Sequence, residues 1–218
     1  MLSRRHFIMT SAALFSAPIM APLAAHASPD DWESWDAQVT PENFDIGTPN
    51  PWGFHSRFLP RLVESNTRLR TGDIHVDAVA RYLYHIRENG LAMRYGVAIG
   101  RDGLYTPGSY TIRHKARWPQ WTPTETMIER DPEYAEFAGG MPGGPENPLG
   151  ARALYLYAGG RDTYLRIHGT PQPWSIGHRA SSGCVRMVMP HIIELYDHVE
   201  TGSRVYLYPA ENGIAADT

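Results

Sequence analysis

Cys184 is the single cysteine of a 218-residue chain. A lone thiol forms no internal disulfide and supplies no thiolate-rich metal clamp, so it is either a small buried hydrophobe or a reactive group. Its neighbours offer chemistry. In Ser181-Ser182-Gly183-Cys184-Val185-Arg186-Met187 the small residues and a glycine let the backbone bend sharply. Such a bend frees the N–H groups of Ser182, Gly183 and Cys184 to converge as an oxyanion site. A thiol with an ordinary pKa near 8.5 is barely ionised at neutral pH, so a cysteine nucleophile needs an adjacent base or positive field. His168 is the candidate base. It ends the run Tyr164-Leu165-Arg166-Ile167-His168 sixteen residues upstream, and Gly169 follows at once, offering a backbone carbonyl to orient the imidazole. On residue chemistry alone, an inert thiol and a hydrogen-bonded structural histidine stand as equal alternatives.

These residues need strands to hold them. Between Thr71 and Gly100 the apolar positions fit both a helical face and alternating strands, and Asn89-Gly90 before Tyr95-Gly96-Val97-Ala98-Ile99 favours a hairpin. Leu104 to Ile112 reads as strand, Pro107-Gly108 turn, strand. Ala153–Tyr157 and Thr163–His168 read as strands about Gly159-Gly160, and Val205–Tyr208 as a final strand. One helix is clear: Ile192, Leu195, Tyr196 and Val199 share a face between Pro190 and Gly202. The expected fold is mainly β with one or two helices. From His114 to Pro148 runs a long loop carrying Trp118 and Trp121, which form either a binding wall or a plug at the edge of the core.

The chain's two ends read differently. Met1–Ala27 holds two arginines, no acid and an apolar run broken by Pro18 and Pro22, then Ala25-His26-Ala27, the pattern of a secretory signal cut after Ala27. Arg4-Arg5-His6-Phe7-Ile8 is similar to a twin-arginine signal, a Sec signal being the alternative. No other segment reaches the roughly 18 apolar residues of a membrane span. Residues 28–70 read as an extended, aromatic-rich arm, 71–210 as the domain that carries Cys184 and His168, and 211–218 as a tail. With 20 basic and 23 acidic residues, a formal charge of -3 gives no field for nucleic acid. HExxH and a second thiolate are absent, so neither metal nor other cofactor is expected.

The blocks His168-Gly169-Thr170, Ser175-Ile176-Gly177 and SSGCVRM (181–187) together resemble the signature of the L,D-transpeptidase catalytic domain, the YkuD-type domain of bacterial cell-wall enzymes. The segments 106–112 and 147–154 are also similar to family blocks, and Lys115–Met127 looks like the tryptophan-containing insertion of proteobacterial members. The resemblance implies a YkuD-like β-sandwich, with Cys184 as nucleophile, His168 as base then acid, and the Gly169 carbonyl orienting His168. It implies a peptidoglycan tetrapeptide stem as donor, attacked at its third residue with loss of D-alanine. The acceptor would be an amine: a second stem, a D-amino acid or an outer-membrane protein. Water as acceptor would make a carboxypeptidase, and a catalytically silent peptidoglycan-binding domain is a further alternative. Arg186 is expected to pair with a substrate carboxylate or to brace the Cys loop. Ser181, Tyr110, Trp118 and Trp121 are candidate substrate contacts. Two departures are visible: Ser182 stands where many relatives carry His, and Met189-Pro190-His191 lacks the helix-capping Asn common there.

Overall fold

The computed structural model describes residues 29–40 and 51–210; the expected signal segment 1–27, part of the arm (41–50) and the tail 211–218 lie outside the described residues. Nine strands form one sheet: β1 (Arg61–Glu64), β2 (Ile74–Asp77), β3 (Tyr82–Ile86), β4 (Leu91–Gly96), β6 (Gly108–Arg117), β7 (Arg152–Ala158), β8 (Arg161–Thr170), β10 (Val185–Val188) and β11 (Arg204–Leu207). Their order is β1-β4-β3-β2-β11-β6-β7-β8-β10, and β5 (Ile99–Gly100) pairs separately with β9 (Arg179–Ser181). The helices are α1 (Pro29–Val39), α2 (Glu125–Arg130) and α3 (Met189–His198).

Local chemistry sets the hairpins. Asn89 and Gly90 take φ of +57° and +68°, the paired positive values of a tight turn whose twist matches its strands, and Gly159 and Gly160 do the same at +55° and +79°. Alternation then puts Ile74, Val76, Leu83, Leu154, Leu156, Ile167, Val185 and Met187 into one core, closed by Ile192 and Leu195 of α3 and by Val199 just after it. Beyond β4 the chain crosses to the opposite edge, where Ala98 and Arg186 exchange two backbone hydrogen bonds of 3.0 and 2.8 Å.

Helix α3 lies across β7, β8 and β10. Val188 caps it without a side-chain bond and Pro190 opens it, as expected where the capping Asn is missing. Its first residue sits tightly on the strand below: a Cβ on Gly169 would lie 2.9 Å from Met189 Sδ and 3.1 Å from Ile192 Cγ2. Glycine at 169 lets the helix and the site strand approach this closely.

The structure corrects three sequence expectations. Residues Pro29–Val39 form a helix rather than an extended arm, because Trp32, Trp35 and Val39 share a face and pack on Trp118, Ala151 and Met189. Arg61–Glu64 joins the sheet as an edge strand against β4. Pro107-Gly108 makes no hairpin: β6 starts at Gly108, and its partners β11 and β7 are remote in sequence. The long loop also carries α2 and a 3-10 turn, Pro132–Phe137. The fold is mainly β as expected, with three α-helices among the described residues. None is long and apolar enough to cross a membrane.

Candidate active site

Parallel pairing of β10 with β8 sets Arg186 beside His168 and Val185 beside Ile167, so Cys184 enters β10 next to the residues preceding His168. His168 is buried, and its Nδ1–H donates to the Gly169 carbonyl at 2.5 Å, which leaves Nε2 as the proton-accepting nitrogen. Burial first, and the nearby Arg186 charge second, lower the His168 pKa to about 3, although the Gly169 carbonyl opposes this. The imidazole is therefore a neutral base.

Cys184 is half-buried. Its sulfur accepts from the Arg166 N–H at 3.3 Å and donates to the Tyr164 carbonyl at 3.7 Å. Burial pushes the thiol pKa up, while the Arg166 N–H and the guanidinium groups of Arg166 and Arg186 pull it down. The resting pair is thus neutral thiol and neutral imidazole. No hydrogen bond joins the two among the described residues: the sulfur is engaged by Arg166 and Tyr164, the imidazole by Gly169.

The turn before Cys184 is held from within. Ser181 Oγ–H donates to the Cys184 carbonyl at 2.5 Å, and the Gly183 N–H donates to Ser181 Oγ at 3.2 Å. Gly183 has φ +131°, and a Cβ there would lie 3.0 Å from the Leu104 carbonyl oxygen, so glycine is required on both counts. Two expectations change. Ser181 is buried and its hydroxyl is used inside the loop, so it is a staple rather than a substrate contact. The Gly183 N–H, one of the three amides expected to converge as an oxyanion site, is already engaged by Ser181 Oγ.

Four arginines surround the loop. Arg101 and Arg130 both pair with Asp131, and Arg166 forms a two-bond fork with Asp162. Arg186 differs: its Nη1 donates to the Gln172 side-chain oxygen at 3.1 Å, and among the described residues no carboxylate pairs with it. A half-buried guanidinium without a carboxylate has the donor fork that an anionic group would pair with.

Residues 71–207 match the family model of the YkuD L,D-transpeptidase catalytic domain. The chain belongs to that family. The probable L,D-transpeptidase ErfK/SrfK of Escherichia coli K12 is 33% identical over 152 residues, 68% of this chain and 47% of its own. The chain spans about half the length of such curated relatives. A solved Brucella melitensis structure described as a probable carnitine operon oxidoreductase caia is 48% identical, covering 71% of this chain and 96% of its own at a TM-score of 0.49. The solved Ldtfm-avibactam carbamoyl enzyme, 16% identical, covers 65% of this chain and 50% of its own at a TM-score of 0.50, and shares the fold.

In this YkuD domain the aromatic candidates divide. Tyr110 lies in the main core with its hydroxyl on the Thr106 carbonyl at 3.0 Å, so it does not wall a groove. Trp118 is buried under α1, with its Nε1–H on Asp36 at 3.1 Å and Trp35 edge-on at 5.3 Å. It is a core plug. Trp121 is buried against Tyr134 and Phe137 of the 3-10 turn further along the long loop. The long loop reaches the Cys184 loop through Arg130 at the end of α2, which donates to Ser182 Oγ at 3.0 Å. Sequence reasoning missed Arg130, Asp162, Tyr164 and Arg166. The signals available were Asp162 four residues before Arg166, and Arg166 two before His168.

Proposed function

We propose that the chain is an exported, periplasmic peptidoglycan L,D-transpeptidase, its leader cleaved after Ala27, with Cys184 carrying the acyl group. The observation that carries this reading is the pair of neighbouring parallel strands. They present a thiol and an imidazole whose Nδ1 is occupied by the Gly169 carbonyl.

In the first half-reaction His168 Nε2 takes the Cys184 proton as sulfur attacks the third-residue carbonyl of a tetrapeptide stem. The Ser182 and Cys184 amides receive the oxyanion, and such a donor is worth about 3 kcal/mol. Protonated Nε2 then gives its proton to the departing D-alanine nitrogen, leaving a thioester. In the second half an acceptor amine attacks the thioester and loses its proton to His168. Sulfur leaves and is reprotonated. Arg186 is the receptor for a donor carboxylate, since it alone of the four arginines described above lacks one.

The test is intact-mass spectrometry of the mature protein with a disaccharide tetrapeptide. Released D-alanine and an acyl adduct on Cys184, both lost in Cys184→Ala, are expected. A folded wild-type protein that forms neither refutes the reading. Product ratios with and without added amine separate transfer from hydrolysis.

A further inference from the structure

The contact between Cys184 and β8 has a specific construction. Between the pairs Tyr155↔Arg166 and Tyr157↔Asp162 the register of β8 shifts, so Thr163, Tyr164 and Leu165 bulge opposite Leu156 alone. Tyr164 sits at φ +60°, a value costly for a residue with a side chain, and its ring is exposed. The bulge turns the Tyr164 carbonyl and the Arg166 N–H towards the sulfur.

Three sets of bonds hold that shape. Arg166 grips Asp162 through Nη1–Oδ1 at 2.6 Å and Nη2–Oδ2 at 2.8 Å, and lies over the Tyr155 ring at 4.0 Å. Asp162 Oδ1 also accepts the Tyr164 N–H at 2.9 Å. Thr163 Oγ1 donates to the Leu156 carbonyl at 2.6 Å and accepts from the Leu165 N–H at 3.3 Å. The ion pair spans the bulge from end to end.

We infer that Asp162 and Arg166 are positioning residues for the nucleophile: their clamp fixes the β8 bulge so that the Arg166 main-chain N–H binds the Cys184 sulfur and stabilises its thiolate. This donor is separate from the oxyanion amides. It acts on sulfur both when the thiol ionises and when it leaves the thioester. The neighbouring Tyr164 carbonyl holds the S–H proton in the resting state. The inference rests on Cys184 being the nucleophile, and its readout needs no stem peptide.

The clamp and simple electrostatics predict opposite signs. Asp162 is an anion near the thiol, so by charge alone Asp162→Asn favours the thiolate and speeds alkylation. By charge alone Arg166→Lys, which keeps the cation and loses the fork, changes little. If the clamp sets the N–H, both substitutions displace it, raise the thiol pKa and slow alkylation. The experiment follows iodoacetamide modification of Cys184 by intact mass from pH 6 to 10. Both variants are expected to react roughly tenfold more slowly at pH 8, with the pH profile shifted upward. With stem donor, kcat falls and KM stays within about twofold.

Faster alkylation in Asp162→Asn, or a wild-type rate in Arg166→Lys, overturns the inference. Thr163→Val removes the Thr163 bonds without touching a charge, and it must also slow the reaction; it carries the test if Asp162→Asn does not fold by circular dichroism. If the proposed function fails, wild-type protein forms no acyl adduct while the alkylation order stands. If the clamp fails, the adduct forms and the alkylation order is lost.

Discussion

The hydroxyl of Ser181 bridges its own loop, giving a hydrogen bond to the carbonyl of Cys184 and taking one from the N–H of Gly183. One buried oxygen thus orients peptide groups on both sides of Cys184. Ser181→Ala leaves the Gly183 N–H unpaired, a cost of about 1–3 kcal/mol, and lets the Ser182 and Cys184 amides drift. Thermal denaturation should register the loss, and kcat for D-alanine release should fall on the order of 100-fold. A variant with unchanged kcat would show that the staple does not set the oxyanion donors.

Arg186 and His168 share a register position, and Arg186 lacks a carboxylate. Arg186→Gln should raise KM for the stem donor by 10-fold or more, consistent with losing a charge-assisted bond of about 1.5–3 kcal/mol. Amidating the donor carboxylate should have the same effect on wild-type protein and none on the variant. If both proteins lose affinity alike on amidation, Arg186 braces the loop instead.

The pH behaviour follows from two neutral partners. His168, with a pKa of about 3, stays unprotonated at every ordinary pH, and the Cys184 thiol, pushed up by burial, stays protonated through neutrality. The reactive form therefore spans this whole interval. The prediction is a kcat/KM that is flat between about pH 5 and 8, without the acid limb near 6.5 that an ordinary histidine imposes. An acid limb centred on 6 to 7 would mean that His168 is solvated in the working enzyme.

Legibility in the sequence tracked locality. The Asn89-Gly90 turn and the α3 face were readable because adjacent residues determine them. Pro107-Gly108 misled because the ladder of β6 is made with β11, far along the chain. The α1 face, Trp32, Trp35 and Val39, carries a helical spacing, but the surrounding Asp and Trp residues masked it until its partner Trp118 was known. At the site, Cys184 and His168 declare themselves by side-chain type. Arg166 touches sulfur through its backbone, which no residue type reports.

Buried His85, His168 and His191 should make the protein acid-labile. His85, His168 and His191 each have pKa values of about 3, with burial the leading cause, against 6.5 when unfolded. Folded values below unfolded ones mean that their contribution is complete above pH 6.5 and is lost as pH falls towards 3. Near pH 5 the unfolded chain binds about three more protons through them, a slope of about 1.4 kcal/mol per pH unit for each. Urea midpoints measured from pH 7 to 4.5 should fall steeply below 6.5. A slope of one proton or fewer would show that two of these rings are charged in the native state.

An ion pair ties α1 to the domain. Asp36 takes two bonds from Arg152, of 2.9 and 2.5 Å, and a third from Trp118 at 3.1 Å, while the Arg152 side chain is only 3% exposed. Arg152 begins β7, which pairs with the site strand β8. Removing the acid strands a buried guanidinium, and breaking such a pair costs about 3–5 kcal/mol when fully buried. Because the Asp36 side chain is 29% exposed, roughly 2–3 kcal/mol is the fitting expectation for Asp36→Ala. Urea denaturation should report that loss, and an Asp36→Ala/Arg152→Met double variant should recover more than half of it, since the orphaned charge is gone. If the double variant is as unstable as the single one, the packing of α1 through Trp35 and Trp118, and not the ion pair, holds the helix to the domain.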